Sequence, residues 1–255
     1  MLDSLKILIE QAPQTIPDVT SVELPEIFRG LPSIAKELCA DDCRACADVC
    51  PTSAIELDPV RLDLGACVFC GECETSCPAG KITFTNNFRT ATNERRSLLI
   101  SEGESNEIPF HAERIRQKIT GIFGRSLKLR QVSAGGCNAC ELELNACGNI
   151  NFDMGRFGIE FVASPRHADG VVITGPISEN MSRALESCYQ ATPAPKIVVL
   201  TGACAITGGI FRDSAAADRS FLSKYPIDLL VPGCPPHPLT FINGILRLIR
   251  DNSKS

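Results

Sequence analysis

Four blocks rich in Val and Ile, IEFVAS, VVITG, KIVVLTG and DLLVPG, punctuate the second half of the chain and lead into loops that carry glycine. Runs of this length without polar alternation predict strands covered on both faces, as in a parallel sheet. LKLRQV adds a strand ahead of them, helical stretches fall near 178–190 and 213–223, and FINGILRLIRD closes as a helix. The alternation predicts a doubly wound α/β domain over 127–255. The first half reads differently. SAIELDP and AGKITFTNN are short strand-like segments that each follow a Cys-Pro pair, an internal repeat within 36–88. Before it, Leu2, Leu5, Leu8 and Ile9 form a helical stripe ended by Pro13, and a proline-punctuated arm completes 1–35. Between the halves, 89–126 reads as a polar linker interrupted by SLLI and followed by a helix at 111–124, where Ile115, Ile119, Ile122 and Phe123 alternate with Arg114, Arg116 and Lys118.

Composition narrows the function. A net charge of −5, no Trp and two Tyr argue against a nucleic-acid partner, which calls for a basic domain or aromatic stacking platforms. Fourteen cysteines suit a disulfide scaffold only in a short secreted chain. The opening MLDSLKILIEQAPQ has neither the apolar core nor the cleavage site of a secretory signal, and Arg95 and Arg96 lie too deep to form a twin-arginine signal. No run is long enough to span a bilayer. A cytoplasmic chain is expected, peripheral on the inner face of the cytoplasmic membrane through partners.

The cysteines fall into three groups. Cys67, Cys70, Cys73 and Cys77, followed by Pro78, form the C-x2-C-x2-C-x3-C-P run of bacterial two-cluster ferredoxins. Cys39, Cys43, Cys46 and Cys50, followed by Pro51, form a similar run with one extra residue before Cys43. In the two-cluster arrangement the fourth cysteine of each run serves the other cluster. That assigns Cys39, Cys43, Cys46 and Cys77 to one [4Fe-4S] centre and Cys67, Cys70, Cys73 and Cys50 to its neighbour. Should the widened loop keep Cys39 from iron, the first centre becomes a three-iron form or borrows another ligand. The third group is Cys137 and Cys140 in GGCNACELE, with Cys204 in LTGACAITGG and Cys234 in VPGCPPHP. Loops at the carboxyl ends of parallel strands converge on one crevice, so these four thiols can meet there. A structural zinc usually takes two close pairs, a redox pair leaves Cys204 and Cys234 without a role, and buried thiols do not need such glycine and proline loops. The glycines let backbone amides approach a cluster, or simply make tight turns.

From Leu127 to about Ile249, GGCNACELE, GRFGIEFVASPRHAD, TGAC with GGIF, and PGCPP resemble the small, cluster-bearing subunit shared by energy-converting [NiFe] hydrogenases and respiratory complex I. FRG ahead of the first run and LGACVFCGECETSCP in the second resemble the ferredoxin-type subunit of formate hydrogenlyase and complex I. The first run departs from that pattern, with C-x3-C in place of C-x2-C. The resemblance implies a fusion of the two subunits: an α+β ferredoxin-like domain at 36–88 and an α/β flavodoxin-like domain at 127–255. It further implies three [4Fe-4S] clusters on a chain without a complete active site. The partners implied are a separate [NiFe] hydrogenase large subunit, formate dehydrogenase or another electron-carrier subunit, and membrane subunits. The complex I version has adjacent cysteines where Asn138 and Ala139 separate Cys137 from Cys140, so the spacing favours the hydrogenase branch. A quinone-reducing subunit and a stand-alone ferredoxin-type carrier are the alternatives. Arg166 and His167, in the loop similar to the family's, and Glu141, just after Cys140, are expected to tune the cluster or meet the partner. A salt bridge from Arg166 to Asp169 is the structural alternative. His237 either donates to a cluster sulfur or is a satisfied surface histidine, and Cys147 and Cys188 are expected to be packed thiols.

Overall fold

The computed structural model describes residues 6–7, 9–10, 14–36, 39–40, 42–104, 107–111 and 126–250. Leu2, Leu5 and Leu8 of the predicted N-terminal stripe lie outside these residues, as does the helix predicted at 111–124 beyond His111.

The cysteine repeat folds as two copies of one small unit. In each, the third cysteine of the run sits buried in a one-turn helix, Cys46 in α1 (Ala45–Asp48) and Cys73 in α2 (Glu72–Thr75). The Cys-Pro pair then ends the helix, because proline supplies no backbone donor and disfavours helix in the residue before it. A short strand follows each turn, and the two antiparallel sheets of this half complete the unit. β1 (Pro32–Ile34) pairs with β4 (Ile82–Phe84), and β2 (Ile55–Glu56), β3 (Arg61–Asp63) and β5 (Leu99–Ser101) form a second sheet with β3 at its centre. Residues read from sequence as a free linker therefore contribute β5. The SLLI interruption is what pairs, since Ile100 stands opposite Leu62 and is buried with it. The arm also ends differently, as Pro32–Ile34 belongs to the ferredoxin-like sheet.

The second half is a five-stranded parallel sheet of β6 (Leu127–Ser133), β7 (Ile159–Phe161), β8 (Gly170–Thr174), β9 (Ile197–Thr201) and β10 (Leu229–Val231). Their spatial order is β10-β9-β8-β6-β7, the flavodoxin-like order, with its reversal between β6 and β8. Every residue of β8, β9 and β10 is buried, as the unbroken apolar blocks require of strands covered on both faces. The connecting helices are α3 (Ala139–Ala146), α4 (Glu179–Ala191), α5 (Ala203–Thr207), α6 (Ser220–Lys224) and α7 (Pro238–Arg250). Of the helix predicted at 213–223 only 220–223, the start of α6, is helical. Ala217 instead forms a bridge to Ser178, and the Asp218 amide donates to the Ile177 carbonyl at 2.8 Å, so tertiary pairing overrides the helix propensity of three successive alanines.

The halves share a core. Leu31, Leu62, Leu64 and Leu98 pack in one buried cluster with Val132, Ile173, Ile206 and Leu230. Thr92 and Leu230 exchange backbone hydrogen bonds of 3.0 and 2.8 Å, which extends the edge of the parallel sheet with a residue from the ferredoxin side. Closer to the cysteines, the Thr207 hydroxyl donates to the Gly65 carbonyl at 3.0 Å, tying the helix that carries Cys204 to the turn that enters Cys67.

Candidate iron–sulfur sites

The crevice outside the carboxyl ends of β6, β8, β9 and β10 collects four cysteines from three loops. Cys137, Cys140, Cys204 and Cys234 line a single cavity together with Glu141, Gly175, Gly233 and Pro235. Glycine makes this closeness possible. A Cβ on Gly175, whose φ is +80°, would stand 2.5 Å from the Gly136 amide nitrogen, so the β6 and β8 loops meet backbone to backbone. A Cβ on Gly202 would stand 2.6 Å from the Cys140 sulfur. Cys137 and Cys234 are exposed at the mouth, while Cys140 and Cys204 lie further in. Burial, reinforced by Glu141 and the three neighbouring cysteines, pushes the Cys140 thiol up to about 12. Burial, then Cys234 and Cys137, pushes Cys204 up to about 11 against the opposing pull of a backbone amide and Arg219.

The ferredoxin-like half holds two more cysteine-lined cavities. Cys50, Cys67, Cys70 and Cys73 line one, walled by Ile55, Leu62 and Phe84. Cys39 and Cys43 line the other, which is open and polar, with Arg44, Asp58, Lys81 and Glu102 around it. The residue that widens the first run is absorbed in a turn closed by the Cys43 amide on the Ala40 carbonyl at 3.0 Å, with Asp42 at a φ of +58°. Cys46 is raised by burial and then by Cys77 and Cys39, whereas Cys67 is pushed up to about 12 by burial with contributions from Cys73, Cys50 and Cys70. Cys50 thus lines the cavity of the second run's cysteines, and Cys77 is near enough to Cys46 to raise it. The sulfurs also repeat a hydrogen bond: the Ala54 amide donates to Cys50 at 3.2 Å and the Lys81 amide to Cys77 at 3.3 Å, each four residues on.

Two of the side chains expected to tune the cluster lie far from the cavity. Arg166 and His167 are exposed on a turn before the amino end of β8, with the five-residue strand, roughly 16 Å long, between them and the cavity. Asp169 accepts the Lys128 amide at 2.8 Å, and no ion pair joins it to Arg166 among the described residues. The loop sits there because β7 is a short edge strand whose last residue aligns with the first of β8 across β6, so the connection never reaches the carboxyl side. Glu141 is buried and accepts the Thr174 hydroxyl at 2.5 Å, and burial raises the Glu143 carboxyl. His237 caps α7, its Nδ1 accepting the Leu239 amide at 3.2 Å, between the rings of Phe28 and Phe152. Cys147 is fully buried in a separate apolar cluster with Leu129, Leu144 and Phe241, its sulfur on the Glu143 carbonyl at 3.4 Å, and Cys188 packs against the cluster of Leu62 and Ile173. Two groups gave no signal in the sequence: the ion pair of the buried Lys81 with Glu102, 2.7 Å, and Arg219 behind Cys204.

The donors fit iron–sulfur clusters. Each set offers soft thiols, and glycine leaves space beside sulfur where a side chain would stand. Fold and cysteines therefore define an iron–sulfur electron-transfer chain built from a ferredoxin-like and a flavodoxin-like half. Residues 137–248 match the family described as NADH ubiquinone oxidoreductase, 20 Kd subunit, and residues 39–81 match the 4Fe-4S dicluster domain. A probable membrane-bound hydrogenase subunit, mbhJ, of Pyrococcus furiosus is 34% identical over 145 residues, 56% of this chain and 87% of that protein. An NADH-quinone oxidoreductase subunit of Heliobacterium modesticaldum is 38% identical over 152 residues, 58% and 86% respectively. Formate hydrogenlyase subunit 7 of Escherichia coli is 41% identical over 120 residues, 47% of each chain. The chain belongs to the complex I 20 kDa subunit family, with a 4Fe-4S dicluster domain ahead of that module. Its relatives are subunits of oxidoreductase complexes, hydrogenases and quinone oxidoreductases alike, and identity does not separate the two. Among the described residues no helix is long and apolar enough to cross a membrane.

Proposed function

We propose that this chain is the electron-relay small subunit of a [NiFe] hydrogenase complex of the formate hydrogenlyase kind, holding three [4Fe-4S] clusters. Cys137, Cys140, Cys204 and Cys234 would hold the one that faces the large subunit. Cys67, Cys70, Cys73 and Cys50 would hold the middle one, and Cys39, Cys43, Cys46 and Cys77 the outermost. Such clusters pass one electron at a time, and the protein sets their potentials through charge, burial and hydrogen bonds to sulfur. The Ala54, Phe69 and Lys81 amides serve Cys50, Cys67 and Cys77 in that way. Thr207 on Gly65 fixes the separation between the middle and last sets.

The observation that carries the reading is the mouth of the last cavity. Cys137 and Cys234 are exposed there, and large exposed apolar side chains lie on the segments that carry the other two cysteines, Leu142 in the helix of Cys140, and Ile210 and Phe211 in the turn that follows the helix of Cys204. A cluster opening on such a face suits a docked protein partner better than water. At the other end, the open, charged cavity at Cys39 and Cys43 suits exchange with an electron carrier such as a formate dehydrogenase subunit. Membrane attachment, on this reading, comes through partner subunits.

The C-x2-C of Cys137 and Cys140 favours the hydrogenase branch, while the similarity to a quinone-oxidoreductase subunit keeps a quinone-reducing partner as the second reading. Nickel decides between them. The native complex purified through a tag on this chain is expected to contain about one nickel per copy, held by the large subunit, and to reduce a viologen dye under hydrogen. A nickel-free complex with quinone-dependent activity overturns the hydrogenase reading.

A further inference from the structure

We propose that Arg219 is a positioning residue for the C-terminal cluster, clamping the loop of Cys204 against the β8 loop and raising the cluster's reduction potential with a fixed positive charge. The inference rests on the reading that Cys137, Cys140, Cys204 and Cys234 hold a cluster.

The guanidinium donates to four backbone carbonyls. Nη1 donates to the carbonyls of Cys204 at 3.1 Å and Pro176 at 3.3 Å, and Nη2 to those of Ala205 at 2.9 Å and Ile206 at 2.8 Å. Three of these are consecutive carbonyls of α5, the five-residue helix that presents Cys204, and the fourth follows Gly175 in the cavity wall. The arginine is itself held from behind. The Asp218 amide is on the Ile177 carbonyl at 2.8 Å, the Ser182 hydroxyl on the Asp218 carboxylate at 2.5 Å, and the Ser220 amide on the same carboxylate at 3.0 Å.

What this cation lacks is a carboxylate. Among the described residues no Asp or Glu forms an ion pair with Arg219, and the nearby Arg212 adds repulsion to the cost of its burial. A charge withdrawn from water in this way needs an opposite charge. Its Nη1 sits on the carbonyl of Cys204, so the negatively charged, thiolate-ligated cluster that Cys204 would help to hold is placed beside this cation. Adding an electron to a cluster makes it more negative, so a fixed cation stabilises the reduced form and raises the potential.

The test uses the full chain, reconstituted anaerobically as wild type, Arg219→Lys and Arg219→Gln, with iron counted and each cluster titrated by electron paramagnetic resonance. Arg219→Lys keeps the charge and is expected to hold all three clusters with the C-terminal midpoint near wild type. Arg219→Gln is expected to favour the oxidised form at least tenfold at a given potential, a negative shift of about 59 mV for one electron, with both ferredoxin-side midpoints unmoved. Loss of the C-terminal cluster alone in Arg219→Gln, with retention in Arg219→Lys, also supports the proposal. Loss in both variants, or a wild-type midpoint in a fully loaded Arg219→Gln, overturns it. A wild-type chain holding only two clusters overturns instead the reading on which it rests.

Discussion

The hydroxyl of Thr174, the last residue of β8, donates to the Glu141 carboxylate at 2.5 Å, and both side chains are buried at the wall of the cysteine crevice. Glu141 comes one residue after Cys140, and its charge is among the causes that raise that thiol. The pair thus joins a strand end to the first turn of the helix that begins between the two cysteines. Thr174→Val leaves a buried acceptor without its donor, an expected loss of about 1–3 kcal/mol. Each kcal/mol is worth roughly 2–4 °C at this size, so anaerobic melting should place Thr174→Val below wild type and Thr174→Ser close to it. Equal melting of the two variants denies the hydrogen bond its role.

Iron content separates the thiols by position. On the three-cluster reading, Cys147→Ala and Cys188→Ala should retain about 12 iron atoms per chain, three clusters of four, because each thiol packs in an apolar cluster and neither lines a cysteine cavity. Cys204→Ser or Cys234→Ser should lose or alter one cluster. A cluster lost in Cys188→Ala shows that the ligands are misassigned.

The strands and the converging cysteines were legible because they follow from local rules: unbroken apolar blocks, Cys-Pro turns, and strand ends that share one edge. Arg219 was not legible, since a single arginine in DSAAADRSFLSK looks like a solvated charge until folding brings Cys204 and Pro176 to it. The same segment misled the helix prediction, because pairing with Ser178 outweighs alanine's preference. Ile100 looked like part of a linker because its partner Leu62 lies far back in the chain. Arg166 and His167 illustrate the converse. Motif similarity pointed at the loop, but the register of β7 on β6 leaves it at the opposite end of the sheet.

Gly202→Ala tests the cavity without replacing a ligand. The residue has a φ of +93°, and the added Cβ would lie 2.6 Å from the Cys140 sulfur. Strain and overlap act together there, so the C-terminal cluster should be lost or its spectrum altered while the ferredoxin-side signals persist. An unchanged third signal in Gly202→Ala contradicts the placement of Cys140.

Loading should depend on pH. Burial first, then neighbouring charge, holds Cys140 at about 12 and Cys204 at about 11, above the usual thiol value of 9. Burial likewise leads the shifts that hold Cys67 at about 12 and Cys73 at about 11. The sign follows from protonation. Below pH 9 these thiols carry protons in the folded and the unfolded chain, so their raised values cost the iron-free fold nothing; above pH 9 the unfolded chain loses its protons first, and stability falls until the folded values of about 11 to 12 are passed. Ligation demands the thiolate, so each ligand gives up a proton and apparent iron affinity rises with pH. Cluster absorbance held against a competing chelator, corrected for the chelator's own protonation, should fall from pH 8 to pH 6 with more than one proton taken up per cluster. A flat profile argues against thiol ligands of this kind.

The last prediction concerns the face at Cys137 and Cys234. Leu142, in the helix that carries Cys140, is 61% exposed, and Ile210, shortly after the helix that carries Cys204, is 59% exposed. Covering such a side chain with a partner is worth about 1.5–3 kcal/mol. Replacing both by aspartate removes that gain and adds the cost of burying charge, so binding should weaken by at least two orders of magnitude. Both positions are on the surface, and Leu142→Asp with Ile210→Asp is expected to keep iron and melting temperature. The large subunit should no longer purify with the doubly substituted chain. Ile27→Asp, at an arm position 86% exposed, provides the contrast, since equal loss of apolar surface there should leave the large subunit attached. If the double variant keeps the large subunit and Ile27→Asp loses it, the docking face lies on the arm and not at the crevice.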